Sequence, residues 1–112
     1  MKKKSRKANL KNRKEFRFKK IRVKEHLSIR HPAYVIIEKG NIYVYVTITH
    51  SNQVKGKVVI KLQKNPNPKD NRDVYFVTEI EQDTKDKFGR RLTGWKMNPE
   101  DDEKIRKLYK KR

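Results

Sequence analysis

The sequence contains no cysteine, and this absence removes several classes of site together. A chain without thiols has no disulfide framework, no cysteine-based zinc site and no thiol nucleophile, and nothing in it indicates an oxidising compartment. Three histidines without a thiol are also a poor basis for a structural metal site. We therefore expect neither a metal nor a cofactor.

Long hydrophobic runs are absent as well. No window approaches the roughly 18 consecutive apolar residues that a membrane-spanning helix needs. The basic residues at the start are not followed by the hydrophobic segment of a signal peptide. We expect a cytoplasmic protein without a membrane partner.

Acidic residues are scarce relative to basic ones. The 112 residues include 32 Lys and Arg against 13 Asp and Glu, which gives a formal net charge of +19. Such an excess predicts a polyanionic partner, and nucleic acid is favoured because no segment combines a basic face with a broad apolar one. Residues 1–30 hold fourteen basic and two acidic side chains. Because apolar residues are sparse before Phe16, residues 1–15 are predicted to form a disordered basic arm.

Apolar residues that alternate with polar ones predict about five short strands from Phe16 onward. Asn98, the proline that follows it, the acidic residues after them and the basic C-terminus predict a helix over 99–111. No helix separates the strands. The predicted fold class is mainly β with a C-terminal helix, arranged as a small antiparallel, partly closed barrel over residues 16–112.

The clearest hairpin surrounds a two-residue Gly-Asn turn of type II′ at residues 40–41. Paired residues then have numbers that add up to 81, so that Val35 faces Val46, or to 79 in an alternative register. Both registers keep the apolar side chains of the two strands on one face. Both also bring His31 directly or diagonally beside His50.

The charge pattern predicts where nucleic acid binds. Cations of the arm neutralise phosphates, and basic loops widen the footprint. Tyr43 and Tyr45 alternate with the apolar residues of their strand, and this position fits either a second packed layer or a surface on which bases stack. RNA is favoured over DNA because no helix has the position and basic face of a major-groove reader. The residues predicted to bind nucleic acid are Lys2, Lys3, Lys4, Arg6, Lys7, Lys11, Arg13, Lys14, Arg17, Lys19, Lys20, Arg72, Arg90, Arg91, Tyr43 and Tyr45.

A second group of residues could carry catalysis. His31 and His50 could act as acid and base in metal-independent RNA cleavage, with Thr49 beside them and Arg30 holding the phosphate. The alternative is purely structural: His31 ends a strand before a proline, His50 begins a loop, and the hydroxyls of Thr49 and Ser51 bond their own backbone.

His-Pro-Ala-Tyr-Val-Ile at 31–36, followed by a hairpin and by Tyr-Val-Thr-Ile-Thr-His-Ser at 45–51, resembles the PemK/MazF group. This group consists of small barrel proteins, many of which are sequence-selective endoribonuclease toxins. The resemblance covers about 80 residues from Pro32 onward. It implies catalytic roles for His31 or Arg30 and for Thr49, and a small acidic antitoxin as a partner.

Two further possibilities remain open at the level of sequence. His-Pro-Ala-Tyr and Asn-Pro-Asn-Pro-Lys-Asp are also similar to segments of short basic proteins of Gram-positive mobile elements, which implies no settled activity. The chain could then be a structural component of a ribonucleoprotein or phage assembly. A core of this size would also gain stability from a homodimer.

Overall fold

The computed structural model describes residues 10–23 and 27–111, in which all paired strands are antiparallel. The elements in chain order are β1 (Leu10–Val23), β2 (Leu27–Lys39), β3 (Ile42–Thr49), β4 (Val59–Lys61), β5 (Tyr75–Val77), β6 (Glu81–Thr84), a 3₁₀ helix (Lys85–Lys87), β7 (Phe88–Arg91) and α1 (Pro99–Lys110). The prediction of a mainly antiparallel β fold with a C-terminal helix is confirmed.

Strand β1 begins earlier than the sequence predicted. Leu10 pairs with Lys39 of β2, and the ladder continues to the pair of Val23 and Leu27. Residues 10–15 therefore belong to the sheet and not to a disordered arm, because pairing with a long neighbouring strand orders them despite their polar composition. The predicted binding residues of the arm that lie outside the described residues are Lys2, Lys3, Lys4, Arg6 and Lys7.

The hairpin between β2 and β3 has the predicted turn. Gly40 has a φ of 59°, the positive value that the first position of a Gly-Asn type II′ turn requires. Next to the turn, Ile37 pairs with Val44, so the residue numbers add up to 81 as predicted. The turn and the register beside it follow from local sequence.

A bulge at Ile36 changes the register along the rest of this hairpin. Beyond it Val35 pairs with Tyr45 and Tyr34 with Val46, so the sum falls to 80. The prediction that Val35 faces Val46 is wrong, because one extra residue turns every following side chain to the other face. Tyr34 and Ile36 thus enter the main core, while Val35 joins a second cluster on the opposite face.

The sheet has the strand order β4-β5-β3-β2-β1-β7, and β6 also pairs with β3. The segment from β6 to β7 thus runs from the edge of β3 to the edge of β1. In the described part of the chain no ladder joins the two outer strands β4 and β7, so the sheet is open and the predicted barrel is not confirmed.

The main core lies on the side of the sheet that α1 covers. Ile105 is the fully buried anchor of the helix, and Leu108 and Tyr109 pack against the same cluster. Phe16 lies in this core with its ring centroid 4.7 Å from that of Tyr34, as expected for a core residue of the first strand. The buried members of the core are Phe16, Tyr34, Ile36, Val44, Val46, Ile48, Leu62, Val74, Phe76, Leu92, Met97 and Ile105.

Helix α1 has the predicted N-cap and ends one residue before its predicted end. The Asn98 side chain accepts hydrogen bonds from the backbone N–H groups of Glu100 at 2.9 Å and Asp101 at 3.2 Å. The buried Asp101 carboxylate accepts the Gln63 N–H at 2.9 and 3.0 Å, which ties the start of the helix to the loop after β4. Between residues 10 and 111, outside the gap at 24–26, no helix has the length and apolar character needed to cross a membrane.

Candidate nucleic-acid interface

A cleft of about 510 Å³ opens at the end of the β2–β3 hairpin that lies away from the turn. Its walls come from β1, the β2–β3 hairpin, the loop between β4 and β5, and the segment before α1. Its lining residues are Phe18, His31, Pro32, Ile48, Thr49, His50, Ser51, Asn65, Asn67, Asp70, Arg72, Val74 and Trp95. The cleft therefore contains three of the four predicted catalytic residues and one predicted nucleic-acid-binding residue.

The two histidines reach this cleft from different strands. His31 lies in β2 opposite Lys19 of β1, and His50 follows the last residue of β3. Because the bulge changes the register, continuing the ladder places His31 opposite Thr49 and not opposite His50. The fold brings both histidines to one cleft, but not through the cross-strand pairing that the sequence predicted.

His50, Asp70 and Arg72 form a chain of charge-assisted contacts. The Asp70 Oδ2 atom lies 2.8 Å from His50 Nε2, and Arg72 Nε donates to Asp70 Oδ1 at 2.9 Å. Hydrogen bonds from Arg72, and then from His50, hold the pKa of Asp70 well below its usual range. The same pair raises the pKa of Arg72. Asp70 therefore stays ionised at neutral pH, and a neutral His50 that donates through Nε2 keeps Nδ1 as its proton acceptor.

Asp70 is the functional candidate that sequence reasoning missed. The sequence predicted only an irregular loop around Asn-Pro-Asn-Pro-Lys-Asp, whereas side-chain to backbone bonds fix this loop. Asn65 Oδ1 accepts the Asn67 N–H at 2.9 Å, and Asp70 Oδ1 accepts the Arg72 N–H at 3.1 Å. Asn65 also donates through Nδ2 to the Arg72 carbonyl at 3.0 Å. The closely spaced Asn and Asp residues were the signal, because Asx turns hold a loop in one conformation.

The hydroxyls of Thr49 and Ser51 bond local backbone, as the structural alternative expected. Thr49 Oγ1 accepts the Ser51 N–H at 3.0 Å. Ser51 Oγ donates to the Gln53 carbonyl at 2.5 Å and accepts the Gln53 N–H at 3.1 Å. Thr49 keeps its hydroxyl proton for a further acceptor, whereas Ser51 uses both roles within its turn.

Two aromatic side chains form part of the cleft wall. Phe18 and Trp95 are both half-buried, in contrast to the fully enclosed rings of the core. The Trp95 ring packs against Phe16 with the centroids 5.4 Å apart, so the core fixes its position. Trp95 is the only tryptophan of the chain, which makes its fluorescence a direct reporter of this cleft.

On the opposite face of the sheet, three predicted binding arginines surround one buried carboxylate. Glu15 is 5% exposed, and its oxygens lie 3.2 Å from Arg13 Nη2, 2.5 Å from Arg17 Nε and 3.7 Å from Arg91 Nε. We call these four residues the Glu15 cluster. Since Arg13 and Arg17 are largely covered while Arg91 is exposed, the cluster serves first to compensate a buried charge.

Tyr43 and Tyr45 lie beside this cluster and are 5% and 1% exposed. Phe88 packs edge-on against both rings, with centroid distances of 5.1 and 5.2 Å. The Tyr45 hydroxyl donates to Glu81 at 3.1 Å, and burial raises the pKa of Tyr45 far above its usual value. Of the two alternatives that the sequence left open for these tyrosines, the structure shows the second packed layer, which encloses the faces of both rings.

The other predicted cations differ in exposure and in pairing. Lys19 pairs with Asp83 at 3.2 Å and lies 5.6 Å from the centroid of the Tyr45 ring, whereas Lys11 and Arg90 are exposed. Lys20, also exposed, pairs through its backbone with residue 30, and the Arg30 side chain is outside the described residues. Among the residues that the structure describes, the predicted binding residues therefore lie on both faces of the sheet.

Comparisons with family models, with curated protein sequences and with solved structures find no match to this chain.

Proposed function

We propose that this protein binds RNA and that the cleft beside His50 holds an unpaired nucleotide. The observation that supports this proposal is the composition of the cleft. Aromatic and apolar walls, amides, hydroxyls, two imidazoles and the Arg72 guanidinium surround one volume of about 510 Å³. Bases stack on aromatic rings and bond to amides, while phosphates accept from guanidinium groups. Sites for small ligands have volumes of about 300–1,000 Å³, so the space suits a nucleotide.

The net charge of +19 favours the same ligand class. A field of one sign draws a polyanion to the surface, and local contacts then position it. Arg72 is already paired with Asp70, so the cleft itself supplies little net charge. Long-range attraction in this proposal comes from the rest of the chain, and the cleft supplies the fit.

RNA is favoured over duplex DNA because α1 has the wrong chemistry for a recognition helix. Its first turn carries three carboxylates, those of Glu100, Asp101 and Asp102, which would repel phosphates at the end that usually approaches a groove. Ile105 also anchors the helix to the sheet. An unpaired nucleotide can enter a cleft of this size, whereas a base pair inside a duplex cannot.

The partly closed barrel of the PemK/MazF resemblance is part of the same proposal. The segment from β6 to β7 supports it, since it connects the β3 edge with the β1 edge. Further pairing along this segment would close the sheet around the second cluster, in which Phe88 of β7 packs against Tyr43 and Tyr45.

The proposal is tested by a titration of a fluorescent single-stranded RNA at several salt concentrations. We expect binding at low ionic strength and a slope of log K against log salt of about −0.7 for each phosphate neutralised. Removal of residues 1–9, which precede β1, is expected to weaken binding and flatten the slope. A folded protein that ignores RNA at low salt would overturn the proposal.

A second candidate function is metal-independent RNA cleavage, which the contact between His50 and Asp70 favours. One histidine would take the proton of a 2′-hydroxyl as that oxygen attacks phosphorus, and the other would give a proton to the 5′-oxygen as the P–O5′ bond breaks. The products would be a 2′,3′-cyclic phosphate and a free 5′-hydroxyl. In this reaction Asp70 orients His50 and does not touch the reacting atoms.

Incubation with a long RNA in EDTA distinguishes cleavage from binding alone. If the chain cleaves, His31→Asn and His50→Asn should each lower the rate by about 10²-fold or more. Asp70→Asn should lower the cleavage rate less than the histidine variants do, and it should shift the pH profile of the rate. The matched control is Asp73→Asn, which changes an exposed carboxylate that pairs with Lys61. Intact RNA together with intact binding would exclude the cleavage candidate.

A further inference from the structure

A second groove adjoins the cleft, and the two share one side chain. The groove has a volume of about 340 Å³, and its walls include Trp95, Lys14, Lys96 and Tyr34. Trp95 lines both the groove and the cleft. A ligand that contacts the Trp95 ring from the cleft therefore lies next to the two lysines of the groove.

The backbone places Lys14 in this groove through a bulge. Residues 13 and 14 together lie opposite the single residue Ile36, between the pairs of Asn12 with Ile37 and of Glu15 with Val35. Lys14 has a φ of 51°, a left-handed value that costs a residue with a β-carbon energy. Arg13 turns towards the Glu15 cluster, whereas Lys14 lines the groove on the other face. The bulge thus separates two neighbouring cations onto opposite faces of the sheet.

The charge of the groove is positive even though it contains a carboxylate. Asp102 accepts a hydrogen bond from the Tyr34 hydroxyl at 2.7 Å and pairs with Arg106 Nε at 3.2 Å. Lys14 Nζ approaches the same carboxylate at 3.6 Å and is 56% exposed. Because Arg106 already balances Asp102, the charges of Lys14 and of the exposed Lys96 are in excess.

We propose that the groove is a second phosphate subsite and that one RNA strand passes from the cleft over Trp95 to Lys14 and Lys96. The inference rests on the proposed RNA binding at the cleft and adds to it a direction and a minimum length for the strand. An aromatic side chain between two sites for backbone charge is a common arrangement for unpaired nucleic acid. A single nucleotide in the cleft would not reach the groove, whereas a short oligonucleotide would occupy both.

The test follows Trp95 fluorescence during titrations with a nucleoside monophosphate and with a short single-stranded RNA. The test variant is Lys14→Gln with Lys96→Gln. The control is Lys107→Gln with Lys110→Gln, which removes the same charge from the exposed face of α1. We expect the test variant to bind the oligonucleotide about tenfold more weakly at low salt and to flatten the salt slope by about 1.4, or 0.7 for each lost contact. Its affinity for the mononucleotide should equal that of the control.

Each contrary outcome has a distinct meaning. Equal oligonucleotide affinities and salt slopes for the two double variants, with wild-type binding intact, would overturn the subsite and leave the proposed function standing. Absence of RNA binding by the wild-type protein would overturn both. Polyglutamate is the competitor that tests charge alone. If it displaced the oligonucleotide as effectively as unlabelled RNA of equal charge, the assignment to RNA would fail.

Discussion

The two faces of the sheet combine aromatic and basic residues in opposite ways. On one face the rings of Tyr43 and Tyr45 are enclosed, and Arg17 and Lys19 lie 5.5 and 5.6 Å from their centroids. On the other face Trp95 stays half-buried at the boundary between the cleft and the Lys14 groove. Basic and aromatic residues that alternate in a sequence are therefore a poor guide to a binding surface. Ion pairing and burial decide which face remains open to a ligand.

The largest effect on stability is expected at Glu15. It lies on the closed face, our name for the face of the sheet that carries Tyr43, Tyr45 and the Glu15 cluster. Glu15→Gln keeps the shape of the side chain but removes the buried counter-charge of Arg17, while Arg13 keeps its second partner Glu38 at 3.4 Å. We expect the free energy of unfolding to fall by about 2 to 3 kcal/mol, because removal of one partner leaves uncompensated charge in a covered site. Urea denaturation followed by circular dichroism measures this loss.

Glu79→Gln is the matched control for this variant. Glu79 pairs with Lys57 and is 54% exposed, so its replacement should change stability by less than about 0.5 kcal/mol. Equal losses for both variants would mean that the Glu15 cluster does not hold the closed face together.

The next largest effect, on RNA binding, is expected at Trp95. It lies on the open face, our name for the side of the sheet with the cleft and the Lys14 groove. Trp95→Leu keeps an apolar side chain against Phe16 but removes the ring that bases would contact. We expect RNA binding to weaken by about 1 to 3 kcal/mol, the usual contribution of one stacked base. Fluorescence anisotropy of labelled RNA measures the change, because the variant has no tryptophan of its own.

Tyr45→Phe completes the comparison, because we expect it to change stability and leave RNA binding unchanged. It removes only the hydroxyl that donates to Glu81, so unfolding should become easier by about 1 kcal/mol while RNA affinity stays unchanged. A loss of RNA affinity at Tyr45 equal to that at Trp95 would reverse the assignment of the two faces.

The sequence predicted those elements that depend on neighbours in the chain. The N-cap Asn98, the extent of α1 and the positive φ of Gly40 all follow from a few adjacent residues. The bulge at Ile36 could not be predicted in this way, because it lies opposite a second bulge in β1, and only the assembled sheet aligns them. The sequence also identified the cleft residues His31 and His50, but it assigned their proximity to the wrong register.

The contacts at the functional site could not be predicted from the sequence for the same reason. Asp70 is twenty residues from His50 in sequence, and their contact depends on a loop held by Asx turns. Glu15 looked like the end of a solvated arm because nothing local marks a carboxylate that arginines from two strands will enclose. Charge counts predict the class of partner, whereas the pairing of those charges depends on tertiary structure.

A smaller effect is expected from Lys14, the residue at which the two faces separate. Lys14→Gly relieves the left-handed φ of 51° and removes the 3.6 Å ion pair between the exposed Lys14 and Asp102, which keeps Arg106 as a partner. We expect the protein to become more stable by about 0.5 kcal/mol, since the relief slightly exceeds the entropy that glycine adds to the unfolded chain. Lys20→Gly, in the regular part of the same strand, should instead destabilise the protein by about 1 kcal/mol. If both variants were less stable than the wild type, the bulge would store no strain.

The smallest effect is expected at Asp70, whose ion pairs lie at the rim of the open cleft. Hydrogen bonds from Arg72 and then from His50 lower the pKa of Asp70 in the folded state. Its stabilising contribution is therefore present above the ordinary Asp value of 3.8 and is lost as the pH falls through the lower folded value. Arg72→Gln should raise the pKa of Asp70 towards the ordinary value, which a carbon-detected NMR titration of the carboxyl group measures.

The stabilities of the Arg72→Gln variant and of the wild type should differ near neutral pH and converge in acid. The control is Arg90→Gln, which changes an exposed arginine on β7 and should leave the Asp70 titration unchanged. If Asp70 titrates alike in both variants, Arg72 does not control its charge and is free to bind phosphate alone, which would make the open face more basic than its contacts indicate.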